Sequence, residues 1–136
     1  MPTREAFAAT LGRLGIDHAK QVIAYDAQAG VMAARLWWML RWMGHRAVAV
    51  LDGGLQRWRA DGRALETNVP MPRATHFVGT AIDNCVDAGF IQSHLGSDRT
   101  LVVDARAPDR FRGENETLDP VGGRIPGARN RFYRDN

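Results

Sequence analysis

Three short runs of the chain are apolar at almost every position. They lack the alternation of apolar and polar residues that is typical of a strand with one solvent-exposed face. They lie at 22–25, 47–51 and 101–104. Runs of this length and composition are typical of parallel strands that helices cover on both faces. The pattern therefore predicts three buried strands.

The residues between these runs show helical spacing or helix-end signals. Thr3 precedes apolar positions three and four residues apart, and Gly15 follows them, so we predict a first helix capped by Thr3. Further helices are predicted at 31–43, closed by Gly44, then at 55–60, and more weakly within 82–95. Strands and helices that alternate this closely predict a parallel α/β fold.

Four tryptophans lie in or near the second and third predicted helices. Trp38 and Trp42 are four residues apart and should share one helix face, whereas Trp37 should point elsewhere. A helix that is apolar on most sides is buried on most sides, so we interpret these rings as packing residues.

Two segments lack a clear period. Residues 67–80 contain two prolines and several polar residues, and we interpret them as a linker or a crossover. After Asp104 the chain is rich in glycine, proline and charge, and no further strong element is predicted there. A structureless run of this length is unusual inside a compact domain, so we expect that the sequence is cut in the middle of one.

Composition excludes several classes of protein. The net charge of +3 comes from arginines interspersed with acids, a distribution that does not favour a nucleic-acid surface. No run is long and apolar enough to span a membrane, and no secretory signal is evident. The single cysteine, Cys85, excludes an internal disulfide and indicates a reducing, cytoplasmic location. We expect no cofactor, and no metal, because the four histidines form no ligand cluster.

Two long stretches resemble one known family. The stretch YDAQAGVMAARLWWMLRWMGHRAVAVLDGGLQRW resembles the later half of the first domain of a tandem-domain rhodanese, and LVVDARAPDRFRGENETLDPVGGRIPGARN resembles the opening of the second domain. The resemblance implies a rhodanese-like parallel sheet flanked by helices, incomplete at both ends. It divides the chain into 1–66 (later half of a catalytically inert first domain), 67–81 (linker) and 82–136 (start of a second domain, truncated before its active-site loop).

The resemblance also implies an activity. Enzymes of this family move a sulfane sulfur from thiosulfate or 3-mercaptopyruvate to cyanide or a thiol through a cysteine persulfide. The catalytic cysteine would fall beyond Asn136, so we expect this chain alone to be inactive. An alternative is a non-catalytic rhodanese-like binding or regulatory module that holds an anion or a partner at the Asp26 loop.

The resemblance places Asp26 at the position where an active rhodanese domain carries its cysteine. Because a carboxylate cannot carry a sulfane sulfur, the resemblance implies a degenerate active site here. We interpret Asp26 as an acid that caps the following helix. Cys85 has neither a buried strand before it nor a cation close by in sequence, so we do not expect it to be catalytic.

The arginines that follow the third run are the candidate substrate-binding residues. The resemblance implies that Arg110 contacts the anionic sulfur donor, with Arg112 and Arg106 as weaker candidates, since guanidinium binds oxyanions through two hydrogen bonds. The competing interpretation is a solvated loop with ion pairs to Asp109 and Glu114.

Two positions depart from family patterns. Asp119 stands where members that prefer mercaptopyruvate carry a second arginine. The resemblance therefore favours thiosulfate as the sulfur donor. Arg124 stands where the resemblance implies a histidine, which removes a neutral hydrogen-bonding ring from this loop.

One consequence for assembly follows from the incomplete sheets. Apolar strands without neighbours are unstable at an open edge, so we expect a homo-oligomer formed by exchange of elements, or aggregation.

Overall fold

The computed structural model describes residues 1–135 and divides the chain into two compact units, of which the first is Met1–Asn84 and the second begins at Cys85. The first unit contains α1 (Arg4–Arg13), β1 (Val22–Ala24), α2 (Val31–Trp42), β2 (Val48–Val50) and α3 (Gly54–Ala60). The second contains α4 (Ala88–Ser93), β3 (Val103–Asp104), α5 (Pro108–Arg112), β4 (Arg129–Asn130) and a 3-10 turn (Tyr133–Asp135). Within residues 1–135, no helix combines the length and apolar character that a membrane crossing requires.

Both sheets are parallel, as the alternation of strands and helices predicts. In the first unit β1 pairs with β2 in the register Val22↔Val48. In the second unit β3 pairs with β4 in the register Val103↔Arg129. The parallel α/β class is therefore confirmed.

The first helix is positioned by the cap that the sequence predicts. The Thr3 hydroxyl accepts a hydrogen bond from the Ala6 N–H at 3.2 Å, which satisfies one of the donors left open at a helix start. Phe7 and Leu11, four residues apart, are buried on the same side of α1. The helix ends at Arg13 with Leu14 as its C-cap residue, and Gly15 then takes a φ of 74°.

The core of the first unit forms where α1 and α2 meet. Leu11 and Leu40 are 1% and 0% exposed, and Met39, Met43 and Val48 pack in the same cluster. The Trp38 and Trp42 rings are stacked with their centroids 6.1 Å apart, whereas Trp37 is 37% exposed. The predicted division of these rings between two faces is confirmed.

Residues 63–87 contain no helix or strand, yet part of this segment is packed into the first unit. The Phe77 ring is 4% exposed and belongs to the core cluster. The Thr75 N–H donates to the Gly12 carbonyl at 2.9 Å, and the Ile82 N–H donates to the Trp42 carbonyl at 3.1 Å. The absence of a period therefore reflects an irregular but ordered path along α1 and α2.

We predict that Gly12→Ala destabilises the first unit by about 1–3 kcal/mol, the usual range for overpacking. A β-carbon at Gly12 would lie 2.6 Å from the Thr75 carbonyl oxygen, which is backbone and cannot move aside like a flexible side chain. Thermal denaturation, followed by circular dichroism, measures the loss of stability as a lower melting temperature. The control is Gly89→Ala, whose β-carbon would meet nothing closer than 3.4 Å. Equal melting temperatures for the two variants would contradict the prediction.

The prediction that the three strands are buried on both faces is wrong. Ile23 in β1 is 48% exposed, and Leu101 and Val103 are 59% and 53% exposed. Within residues 1–135 each sheet has only two strands, so each strand has a single hydrogen-bonded neighbour. Only Ala24 and Val48 are buried among the residues of the four strands.

After Asp104, where no further strong element is predicted, the chain forms only short ones, including helix α5 and strand β4. Helix α5 begins with Pro108 at its first position and is five residues long, too short to show a helical period. Strand β4 consists of Arg129 and Asn130, which have no apolar signature. Its position depends on pairing with β3 and on the Asn130 side chain, which donates to the Asp104 and Arg106 carbonyls at 3.0 and 2.8 Å.

The weak helix predicted within 82–95 exists in shortened form as α4. Its N-cap is Asp87, whose carboxylate accepts a hydrogen bond from the Phe90 N–H at 2.7 Å. The helix is six residues long and buries none of its side chains.

Candidate functional site

The turn from β1 to α2 folds around the Asp26 carboxylate. Its Oδ1 accepts hydrogen bonds from the N–H groups of Gln28 and Gly30 at 2.8 and 2.9 Å. Its Oδ2 accepts from the N–H groups of Met32 and Ala33 at 2.8 and 2.9 Å. The capping contacts predicted for Asp26 are therefore present, and they extend to the turn as well as to the helix.

The backbone of this turn explains why its amides converge. Ala29 and Gly30 both have positive φ values, of 57° and 87°. Successive residues in unusual turn conformations direct their N–H groups to one side and form a concave site for an anion. The start of α2 adds its own unsatisfied donors to this concavity.

The electrostatic consequence is a strongly acidic carboxyl group. Hydrogen bonds from the backbone of Ala33, Gln28 and Gly30 lower the pKa of Asp26 to about 2, because they stabilise the ionised form more than the protonated form. At neutral pH the turn therefore holds a permanent internal anion. Chemically, this is an anion-binding turn whose donors are already occupied by the chain's own side chain.

The neighbouring turn from β2 to α3 is hydrogen-bonded to the backbone of Asp26. The Leu55 N–H donates to the Asp26 carbonyl at 3.0 Å. A β-carbon at Gly54, where φ is 56°, would lie 2.7 Å from that carbonyl oxygen. Glycine is therefore required for this close approach.

The single cysteine lies outside this turn. Cys85 is exposed, in a stretch without helix or strand that precedes the Asp87 cap of α4. A site that activates a thiol needs converging donors or cations. Asp26, and not Cys85, occupies the described turn with converging backbone donors.

A second cluster of charges lies in the second unit, centred on Glu116. Its carboxylate accepts hydrogen bonds from Arg110 at 2.8–3.1 Å and from Arg106 at 3.3 Å. The Glu116 side chain is only 5% exposed. Arg106 also forms a two-pronged ion pair with Asp104, whose closest contact is 2.7 Å.

The hydrogen bonds at Glu116 keep it ionised. Those from Arg110, followed by those from the Leu118 and Asp119 backbone, lower the pKa of Glu116 to about 2. A buried carboxylate that joins two guanidinium groups restricts both of them to one geometry. Sequence reasoning missed Glu116, because a glutamate in a charged loop has no local feature that distinguishes it from its exposed neighbours.

The three predicted arginines separate into two groups. Arg106 and Arg110 come together through Glu116, with 27% and 23% of their side chains exposed. Arg112 instead pairs with Glu114 at 2.8 Å, and both side chains are more than half exposed. Such a solvated pair contributes little to stability.

The solvated pair of Arg112 with Glu114 agrees with the competing interpretation, but the carboxylate partners of Arg110 differ from it. They are Glu116 and Asp119, the latter at 3.2 Å, and not Asp109 and Glu114. Asp109 instead accepts a hydrogen bond from the Asn115 side chain at 3.1 Å. Asp119 thus contacts the guanidinium of Arg110.

Arg124 packs against helix α5. Its guanidinium lies 4.7 Å from the centre of the Phe111 ring, and its Nη1 is 3.5 Å from the Phe111 carbonyl oxygen. The loop therefore has a specific contact at Arg124. Among residues 1–135, no group of three or more His, Cys, Asp or Glu side chains is placed to hold a metal ion.

Comparisons with known proteins connect both units to one group of enzymes. Residues 2–61 match the family model of the rhodanese-like domain. The chain is 41% identical, over all of its length, to the "Probable 3-mercaptopyruvate sulfurtransferase" of Pseudomonas aeruginosa, and covers 49% of that protein. It is 35% identical to the thiosulfate sulfurtransferase of Gallus gallus, with 96% of this chain and 46% of that protein aligned.

A solved structure gives the same result for the fold. The crystal structure of SseA from Escherichia coli, a 3-mercaptopyruvate sulfotransferase with the rhodanese fold, superposes with a TM-score of 0.85 at 31% identity. The alignment covers 99% of this chain and 51% of that one. The chain thus spans about half the length of the relatives that it matches.

Proposed function

This chain belongs to the rhodanese family, and from that premise we propose that it supplies two parts of a thiosulfate or 3-mercaptopyruvate sulfurtransferase. Residues 1–66 form the later part of an inert first domain, 67–81 connect the domains, and 82–136 begin a second domain that binds the sulfur donor. The whole enzyme moves a sulfane sulfur to cyanide or a thiol through a cysteine persulfide. We place it in the cytoplasm, without a cofactor.

The observation that carries the proposal is the occupied turn at Asp26. Four backbone N–H groups converge there, the arrangement that would stabilise a thiolate or a persulfide. A carboxylate fills the position instead, and it has no sulfur to transfer. This supports a first domain that keeps the backbone geometry of the catalytic loop but lacks the cysteine that would carry the sulfur.

The same geometry weighs against the alternative of a binding module that holds an external anion at this loop. Each oxygen of the Asp26 carboxylate already accepts two backbone hydrogen bonds. An external anion would have to displace a carboxylate whose pKa is about 2 and which is therefore charged at any physiological pH. The converging donors are thus better explained as a degenerate catalytic loop.

Donor binding in the second unit is proposed for Arg110 and Arg106. Both are partly buried, and Glu116 orients both of them. Arg112 is the weaker candidate because it is committed to Glu114 in solvent. We further propose that thiosulfate is preferred, since Asp119 presents a negative charge beside Arg110, where a second carboxylate-binding cation would be needed.

We predict that the purified chain, incubated with thiosulfate and cyanide, produces no thiocyanate above the protein-free background. The physical reason is that its exposed thiol, Cys85, lies outside the turn with converging donors. Colorimetric detection of thiocyanate measures the outcome. Turnover that disappears in the matched variant Cys85→Ser would overturn the proposal, because it would place the chemistry at Cys85.

A further inference from the structure

An open pocket of about 520 Å³ lies at one edge of the second sheet. One wall contains Arg106 and Arg110, which follow β3, and the other contains Phe132, Tyr133 and Arg134, which follow β4. Because β3 and β4 are parallel, both walls lie at the carboxyl ends of their strands. Ligands of open α/β sheets bind at this edge.

Three arginines line the pocket: Arg106, Arg110 and Arg134. The first two already form ion pairs with carboxylates. Arg106 forms ion pairs with Asp104 and Glu116 at 2.7 and 3.3 Å. Arg110 forms ion pairs with Glu116 and Asp119 at 2.8 and 3.2 Å. An anion entering the pocket must therefore share these guanidinium groups with carboxylates that are held in place.

Arg134 is in a different state. Its Nε donates to the Tyr133 hydroxyl at 3.2 Å, and its guanidinium lies 5.9 and 5.7 Å from the centres of the Phe132 and Tyr133 rings. Within residues 1–135 no carboxylate is within ion-pair distance of it, and its side chain is exposed. Contact with aromatic faces orients a guanidinium without using up its charge.

We infer that Arg134 is the residue that recruits the anionic ligand to this pocket, and that the ligand is a small sulfur oxyanion of the thiosulfate class. The inference rests on the proposed donor-binding role of the second unit and extends it to a residue outside the predicted set. A single uncompensated guanidinium matches one oxyanion group through two parallel hydrogen bonds. Arg106 and Arg110, oriented by Glu116, then form the opposite wall that the anion contacts.

The test is a titration of the chain with thiosulfate, observed by the chemical shifts of backbone and arginine Nε–H groups. In the wild-type chain, the shifts should map to the residues after β3 and β4. Arg134→Gln should weaken binding roughly tenfold, the effect of losing one charge-assisted contact. Arg99→Gln is the matched control, because Arg99 is an exposed arginine of the same unit that does not line the pocket, and it should change the affinity by less than about twofold.

The outcomes separate this inference from the proposed function. Thiosulfate binding that is lost in Arg110→Gln but unchanged in Arg134→Gln would overturn the role of Arg134 and leave donor binding intact. Absence of thiosulfate binding by the wild-type chain would overturn both. Circular dichroism of Arg134→Gln, expected to match the wild type because the side chain is exposed, verifies that a loss of affinity is not a loss of folding.

Discussion

A cysteine introduced by Asp26→Cys should titrate at least about one pH unit below the ordinary thiol pKa of about 8.5. Its sulfur would occupy the place of the Asp26 carboxyl carbon, which is surrounded by four backbone N–H groups. These donors stabilise the thiolate and do nothing comparable for the neutral thiol. The variant is made together with Cys85→Ser, so that one thiol remains, and thiolate absorbance is measured against pH.

The matched control for this titration is Asp52→Cys in the same Cys85→Ser background. Asp52 is an exposed acid in the turn that follows β2, the counterpart of the turn that follows β1. The control thiol should titrate near the ordinary value. Identical curves for the two variants would mean that the turn at Asp26 depends on the carboxylate for its shape, and would contradict its interpretation as a degenerate persulfide loop.

The chain should self-associate at low micromolar concentration and elute with a mass well above the 15.1 kDa of one copy. Ile23 is 48% exposed and Val103 is 53% exposed, each on a two-stranded sheet. Sheets of two strands are marginal in water, and an unpaired apolar edge is a template for pairing with another chain. Light scattering after size exclusion measures the mass.

A pair of lysine substitutions tests whether the strand edges cause the association. Ile23→Lys places a charge on β1 and should shift the population towards the monomer, as charged residues do on natural edge strands. Val69→Lys is the control, because Val69 is 82% exposed in the segment without helix or strand. A monodisperse wild-type monomer with one cooperative melt would refute the prediction.

The parts of the fold that could be predicted are those that depend on local interactions. The Thr3 cap, the ends of α1 and α2 and the shared face of Trp38 and Trp42 require only residues a few positions apart. In the candidate site, too, local contacts could be predicted and distant ones could not. The capping by Asp26 follows from its place before a helix, whereas the partners of Arg110 lie six and nine residues away along an irregular loop.

By itself, the sequence determined the parallel α/β class, the rhodanese family and the carboxylate at the start of α2, because these are encoded in short apolar runs, helix signals and an extended motif. Only the tertiary structure decided the rest. It pairs the polar strand β4 with β3, buries Phe77 from a segment without a period, and gathers Arg106 and Arg110 around Glu116. The physical reason is that burial and ion pairing depend on groups distant in sequence or joined by irregular loops, and no periodicity records those distances.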